Sequence, residues 1–185
     1  MLFRSEAVDA DHGPGGFAGL TELWDLDKPV IAAVNGLAFG GGFELALAAD
    51  LIIAADTAEF ALTEVTLGIM ADSGGVLRLP KRIPLPIAME LLMTARRMSP
   101  DEAARWGLVN KVVPKDDLMN EARALAATIA ANAPLALKAI KSVIKATVPL
   151  DVKDGYALMR SGAIDRKSTR LNSSHIPLSR MPSSA

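Results

Sequence analysis

Apolar residues run without a break over positions 30–34, introduced by Lys28-Pro29 and closed by Asn35-Gly36. A continuous run of that length predicts a short strand covered on both faces, whereas alternation would predict a half-solvated one. A second run, Leu51–Ala55, predicts another strand. Between them, Gly40-Gly41-Gly42 is followed by residues 43–49, which are good helix formers with no breaker. The order strand, glycine turn, helix, strand predicts an α/β fold with a parallel pair joined by a right-handed crossover.

Downstream the pattern becomes helical. Ser99-Pro100-Asp101-Glu102 combines an N-cap, a first-turn proline and a capping-box glutamate, which places a helix start there and an end near Gly107. Residues 108–113 predict a short strand, and helices are expected over about 116–132 and over Pro134–Thr147. In the last of these, Leu135, Ile140, Val143 and Ile144 recur at the spacing of one apolar face. Residues 9–20 are rich in Gly and Pro and predict a loop, leading into a short helical segment through Leu20, Leu23 and Trp24. The expected organisation is an α/β core over 6–114 and a helical region over 115–164 that packs on it.

Composition narrows the functional classes. Half of the 185 residues are apolar and 22% are charged, enough for one soluble domain with a true core. The net charge of -1 and interspersed signs leave no electrostatic footprint for a nucleic acid partner. Cysteine is absent, which removes disulfides, thiolate metal sites and cysteine nucleophiles. The most apolar stretch is interrupted by Asp50 and too short to span a bilayer, so no membrane association and a cytoplasmic location are expected.

The ends read differently. From Asp165 on, the chain is rich in Ser and Arg and has no helical or strand period. Asp165-Arg166-Lys167-Ser168 can be encoded GAT CGG AAG AGC and residues 1–5 ATG CTC TTC CGA TCT, which contain reverse complements of each other. Residues 1–5 and 165–185 therefore resemble translated adapter DNA flanking a genuine segment.

The chemistry concentrates in residues 35–69. Three glycines at a helix start expose backbone N–H groups in the positive field of the helix terminus, the outline of an anion or oxyanion site. No Gly-Lys-Ser/Thr follows to make a phosphate loop, and Leu45 breaks a G-x-G-x-x-G. Ser73 lacks the first glycine of a nucleophile elbow. His12 lies in the opening loop and His175 in the terminal stretch, so no histidine triad or metal cluster forms on paper. Two carboxylates remain, Glu44 in the first turn of the expected helix and Glu64 after the strand-like Phe60-Ala61-Leu62, each with strongly apolar flanks. A lone glutamate in such places usually complements a helix dipole or faces solvent.

At these residues the chain resembles the crotonase superfamily. Residues 29–36, the triple glycine, Glu44-Leu45-Ala46, Asp50, Glu64, Leu67-Gly68-Ile69, Gly74-Gly75 and Ala103-Ala104-Arg105-Trp106-Gly107-Leu108-Val109 stand in family order over residues 9–164. The resemblance implies a spiral of ββα units with C-terminal helices, assembly as a homotrimer or homohexamer, and an acyl-CoA thioester substrate. No cofactor is implied, coenzyme A being part of the substrate.

Further implications are residue by residue. Glu44 and Glu64 match the two catalytic glutamates of the hydratases, and Gly41 matches one of two backbone donors of the oxyanion hole. The other donor belongs to an earlier family segment that has no counterpart in this chain. Gly40, Asp72 and Gly74 match positions that place substrate or water. Residues 9–50, Asp72-Ser73-Gly74-Gly75 and Arg160-Ser161-Gly162 are most similar to the subgroup that interconverts carnitinyl-CoA and crotonobetainyl-CoA, with general enoyl-CoA hydration as the alternative. Trp24, Asp9 and Asp11 are candidates for holding a quaternary ammonium group. Thr63 and Ala71 depart from the family by standing where many relatives carry proline. A rival reading, an RNA-binding or non-catalytic subunit, rests on Lys138, Lys141 and Lys145, which fall on one helix face.

Overall fold

The computed structural model describes residues 12–161. The calls on residues 1–5 and 165–185, and the candidates Asp9 and Asp11, lie outside them.

The first strand, β1 (Ile31–Val34), is followed after Asn35-Gly36 by β2 (Leu37–Phe39), then by helix α1 (Gly41–Ala48) and β3 (Leu51–Ala55). After β4 (Glu59–Ala61) come a 3-10 turn at Glu64–Leu67 and helices α2 (Gly75–Arg82), α3 (Leu85–Thr94) and α4 (Pro100–Arg105). Strand β5 (Lys111–Val113) leads to α5 (Leu118–Ala130), α6 (Pro134–Thr147) and α7 (Val152–Arg160). All strand pairs within the two sheets are parallel: β1-β3-β5 form one sheet and β2-β4 the other. The pairs β1-β2 and β3-β4 thus each give one strand to each sheet before a helix follows, while β5 joins the three-stranded sheet alone.

The α/β expectation is met, with the parallel pair joining β1 and β3 in the register Ile31↔Leu51 to Val34↔Ala54. Burial of β1 differs from the reading of its apolar run. Its residues are only half-buried, because β1 lies at the sheet edge, while residues 52–55 of the central β3 are buried. Asp50 fixes the start of this pair by accepting the Val30 N–H at 2.7 Å. The predicted strand over 108–113 shortens to β5 because the amides of Leu108 and Val109 turn back to the Ala103 carbonyl and close α4. Ser99 caps α4 as read, accepting the Glu102 N–H at 3.2 Å.

The main core lies between the β2-β4 ribbon, α1, α2 and α3. Phe43 and Phe60 are fully buried there with ring centroids 5.2 Å apart, a tilted pair worth about 0.5–1.5 kcal/mol beyond its burial. A smaller cluster of Ile53, Ala55, Val113, Leu118 and Ala122 lies among β3, β5 and α5.

The chain forms two compact units, one ending at Leu26 and resuming over Val30–Ala126, the other combining Asp27–Pro29 with the chain from Ala127. In the second unit α6 contacts α7. The apolar face expected on α6 is largely unburied, with Ile140 and Ile144 more than half exposed. Lys138 pairs with Asp27 at 2.6 Å and Lys141 donates to the Lys28 carbonyl at 2.7 Å, so two members of the lysine stripe have partners within their own unit. No single helix among the described residues is long and apolar enough to cross a membrane.

Candidate active site

The parallel ribbon brings the two glutamates together. Strands β2 and β4 run in the register Phe39↔Ala61, and the Gly40 N–H continues the ladder to the Ala61 carbonyl at 2.9 Å. The start of α1, which carries Glu44, is therefore laid beside the turn that carries Glu64. Gly40 takes φ +53°, a conformation that favours glycine, and a Cβ there would come within 3.1 Å of Glu64 Oε1. The Glu64 carboxylate lies across that bare Cα.

Glu44 is buried, with 3% of its surface exposed. Its Oε1 accepts the Gly75 N–H at 2.8 Å, at the start of α2, where the helix dipole favours a negative charge. Burial pushes the Glu44 carboxyl above its ordinary range; the Gly75 bond opposes this, the charges of Glu64 and Asp72 add to it, and Arg78 pulls the other way. Glu64 differs in its surroundings. Its Oε2 is buried without a hydrogen-bond partner among the described residues. A pocket of about 100 Å³ adjoins Glu64 and is otherwise apolar, walled by Leu62, Ile69, Ala71, Val76 and Leu92. That volume suits water and a few-atom group.

The glycine turn supplies donors. The amides of Phe43 and Glu44 both go to the Gly40 carbonyl, leaving those of Gly41 and Gly42, which a helix start cannot satisfy internally, without a partner among the described residues. Gly41 lies under the Phe17 ring, since a Cβ on it would meet Phe17 Cε1 at 2.7 Å.

The structure therefore gathers Gly40, Gly41, Glu44, Glu64 and Gly74 around one region. Asp72 is exposed and reaches Glu44 through its charge. Trp24, a candidate for holding a quaternary ammonium group, is 69% exposed, and the Arg78 guanidinium lies 5.7 Å from its ring centroid. Among the described residues no three His, Asp or Glu side chains gather as metal ligands. Three contributors were missed: Gly75 as the donor to Glu44, Arg78, and Phe17. The Gly74-Gly75 pair was a usable signal, since adjacent glycines mark close backbone approach. Nothing local marks Arg78, whose partner Thr21 is 57 positions away.

Comparisons with known proteins place the chain in a family. A family model described as enoyl-CoA hydratase/isomerase matches residues 1–163. A Citrobacter koseri protein named carnitinyl-CoA dehydratase is 61% identical over 92% of this chain, which spans 65% of that relative's length. Two solved structures match with sequence identities of 38% and 40%. One is an enoyl-CoA hydratase from Mycobacterium tuberculosis, at TM-score 0.75 over 89% of this chain and 62% of that one. The other is a carnitinyl-CoA dehydratase from Mycobacterium avium, at TM-score 0.70 over 89% and 61%. By this match and this fold, the chain belongs to the enoyl-CoA hydratase/isomerase family, the crotonase family that its glutamates and glycine turn resemble.

Proposed function

We propose that this chain belongs to a hydro-lyase that interconverts carnitinyl-CoA and crotonobetainyl-CoA. The observation that carries the reading is the pairing of two carboxylates in unlike surroundings beside a helix start with unspent amides. Burial shifts Glu44 toward its protonated form, while Glu64 has a buried oxygen with no partner among the described residues and lines an apolar pocket. In dehydration, Glu64 takes the α-proton of the thioester and negative charge moves onto the thioester oxygen. The Gly41 N–H meets that charge as it develops. Protonated Glu44 then donates to the departing β-hydroxyl, which leaves as water while the α,β double bond forms. Hydration reverses each transfer, so the site needs one acid and one base held apart in pKa. The acyl identity is supported by the names of the Citrobacter koseri and Mycobacterium avium relatives.

The substrate brings its own coenzyme A, and the steps draw on no further cofactor. Assembly as a homotrimer or homohexamer and a cytoplasmic setting are part of the same proposal.

The test follows the enoyl-thioester absorbance of crotonobetainyl-CoA and of crotonyl-CoA, with wild type and Glu64→Gln. Faster loss with crotonobetainyl-CoA, abolished in the variant, is the expected result. Preference for crotonyl-CoA would replace the reading with general enoyl-CoA hydration, and turnover unaffected by Glu64→Gln would overturn the mechanism.

A further inference from the structure

Arg78, on the first turns of α2, is half-buried and carries more contacts than its position requires. Its Nη1 donates to the Ser73 carbonyl at 3.2 Å, and its Nη2 donates to the Thr21 carbonyl. The guanidinium also arches over Gly74, where a Cβ would overlap Nη1, and it reaches the Trp24 ring. Each contact anchors a different part of the site. Ser73 and Gly74 form the turn whose next amide, that of Gly75, holds Glu44. Thr21 is buried, and both its amide and its hydroxyl bond the Phe17 carbonyl, at 3.4 and 3.3 Å. Phe17 in turn covers Gly41.

We infer that Arg78 is a positioning residue of this site: its guanidinium ties the turn that holds Glu44 to the turn that covers Gly41. A planar fork with several donors can span two carbonyls at fixed geometry, which an ammonium cannot do. The charges facing Glu44 are those of Glu64, Asp72 and Arg78, and those facing Arg78 are Glu44, Glu22 and Arg82. Arg78 is thus the cation set against the carboxylates around Glu44. Burial lowers the guanidinium below its ordinary range, yet arginine stays charged at any working pH. As far as it concerns catalysis the inference rests on the hydro-lyase reading, but the clamp itself is measurable without turnover.

The experiment uses the full chain labelled with ¹³C at glutamate carboxyls, with Glu44 assigned by its loss in Glu44→Gln. Two quantities are read in wild type, Arg78→Met and Arg78→Lys: the midpoint of the Glu44 titration and the hydrogen-exchange rate of the Gly75 amide. In Arg78→Met the midpoint should rise by roughly one pH unit, as loss of a neighbouring opposite charge requires, and Gly75 should exchange about tenfold faster. Arg78→Lys keeps the charge and should recover part of the midpoint while leaving Gly75 fast. An unchanged midpoint and exchange rate in Arg78→Met would overturn the inference, as would full recovery of both by lysine. Should the methionine variant fail to fold, protected Gly75 exchange in Arg78→Lys would overturn it alone. A chain inactive on both thioesters would leave this outcome untouched, and a negative outcome here would leave the hydro-lyase reading in place.

Discussion

Replacing Gly75 with alanine tests how Glu44 is held. A Cβ at position 75 would lie 2.7 Å from Ala71 Cβ, 3.1 Å from Glu44 Oε1 and 3.2 Å from Leu62 Cδ1. None of these neighbours is the free end of a flexible chain, so α2 or Glu44 must shift. Overfilling a packed site costs about 1–3 kcal/mol. Lengthening the 2.8 Å bond forfeits part of the roughly 1.5–3 kcal/mol carried by a hydrogen bond to a charged group. Alanine's helix preference offsets at most about 1 kcal/mol. A net loss of about 2 kcal/mol lowers Tm by roughly 4–8 °C in a chain of this length.

The loss should also depend on pH. Because the folded Glu44 carboxyl sits above its ordinary value of 4.5, stability tied to its protonated form is present in acid and is lost as pH rises through the folded pKa. The charged form depends most on the Gly75 N–H, so the variant's deficit should be larger near pH 8 than near pH 5. Calorimetry at both pH values decides. A variant as stable as wild type, or a deficit equal at the two pH values, would refute the reasoning.

Glu44→Gln removes an ionisation that burial opposes in the folded state, so its Tm should exceed that of wild type at neutral pH and converge with it in acid. Its thioester turnover should fall about a hundred- to ten-thousandfold, as expected for losing a general acid, measured beside a melting curve. Gly42→Ala, at a helical position where a Cβ meets nothing within 4 Å, should raise stability by up to about 1 kcal/mol in urea unfolding. Ser99→Ala should cost about 1 kcal/mol by the same assay, because it strips the Glu102 N–H of its acceptor. An unchanged unfolding midpoint would show that the cap carries no stability.

Much of the α/β frame was legible because β3, α4 and α6 each carry a local signature: an apolar run, a capping box, a proline start. Strand β2 was not, since Asn35-Gly36 reads as a stop and three residues are too few to show alternation. Helices α2 and α3 were hidden by Pro80, Pro84 and Pro86, which punctuate the pattern, although Pro86 sits harmlessly in a first turn. The glutamates could be picked out by their apolar flanks, but the bonds that distinguish them could not. Gly75 reaches Glu44 across 31 positions and Arg78 reaches Thr21 across 57, and such contacts exist only once the layers have stacked. The exposed face of α6 teaches the converse, because periodicity reports which residues share a face but not whether anything covers it.

The in-register β2-β4 ribbon also governs where this chain tolerates changes of length. Adjacent strands stand about 4.8 Å apart, and that spacing sets how the bases of Glu44 and Glu64 face each other. Residues added to the surface turn at Asp56-Thr57 leave the ladder untouched. One residue gained or lost between Leu37 and Glu44, or between Glu59 and Glu64, would slide a carboxylate past its counterpart. For a designer the molecule is two short rulers joined by elastic: the joints accept insertion, and the ruled segments accept only substitution.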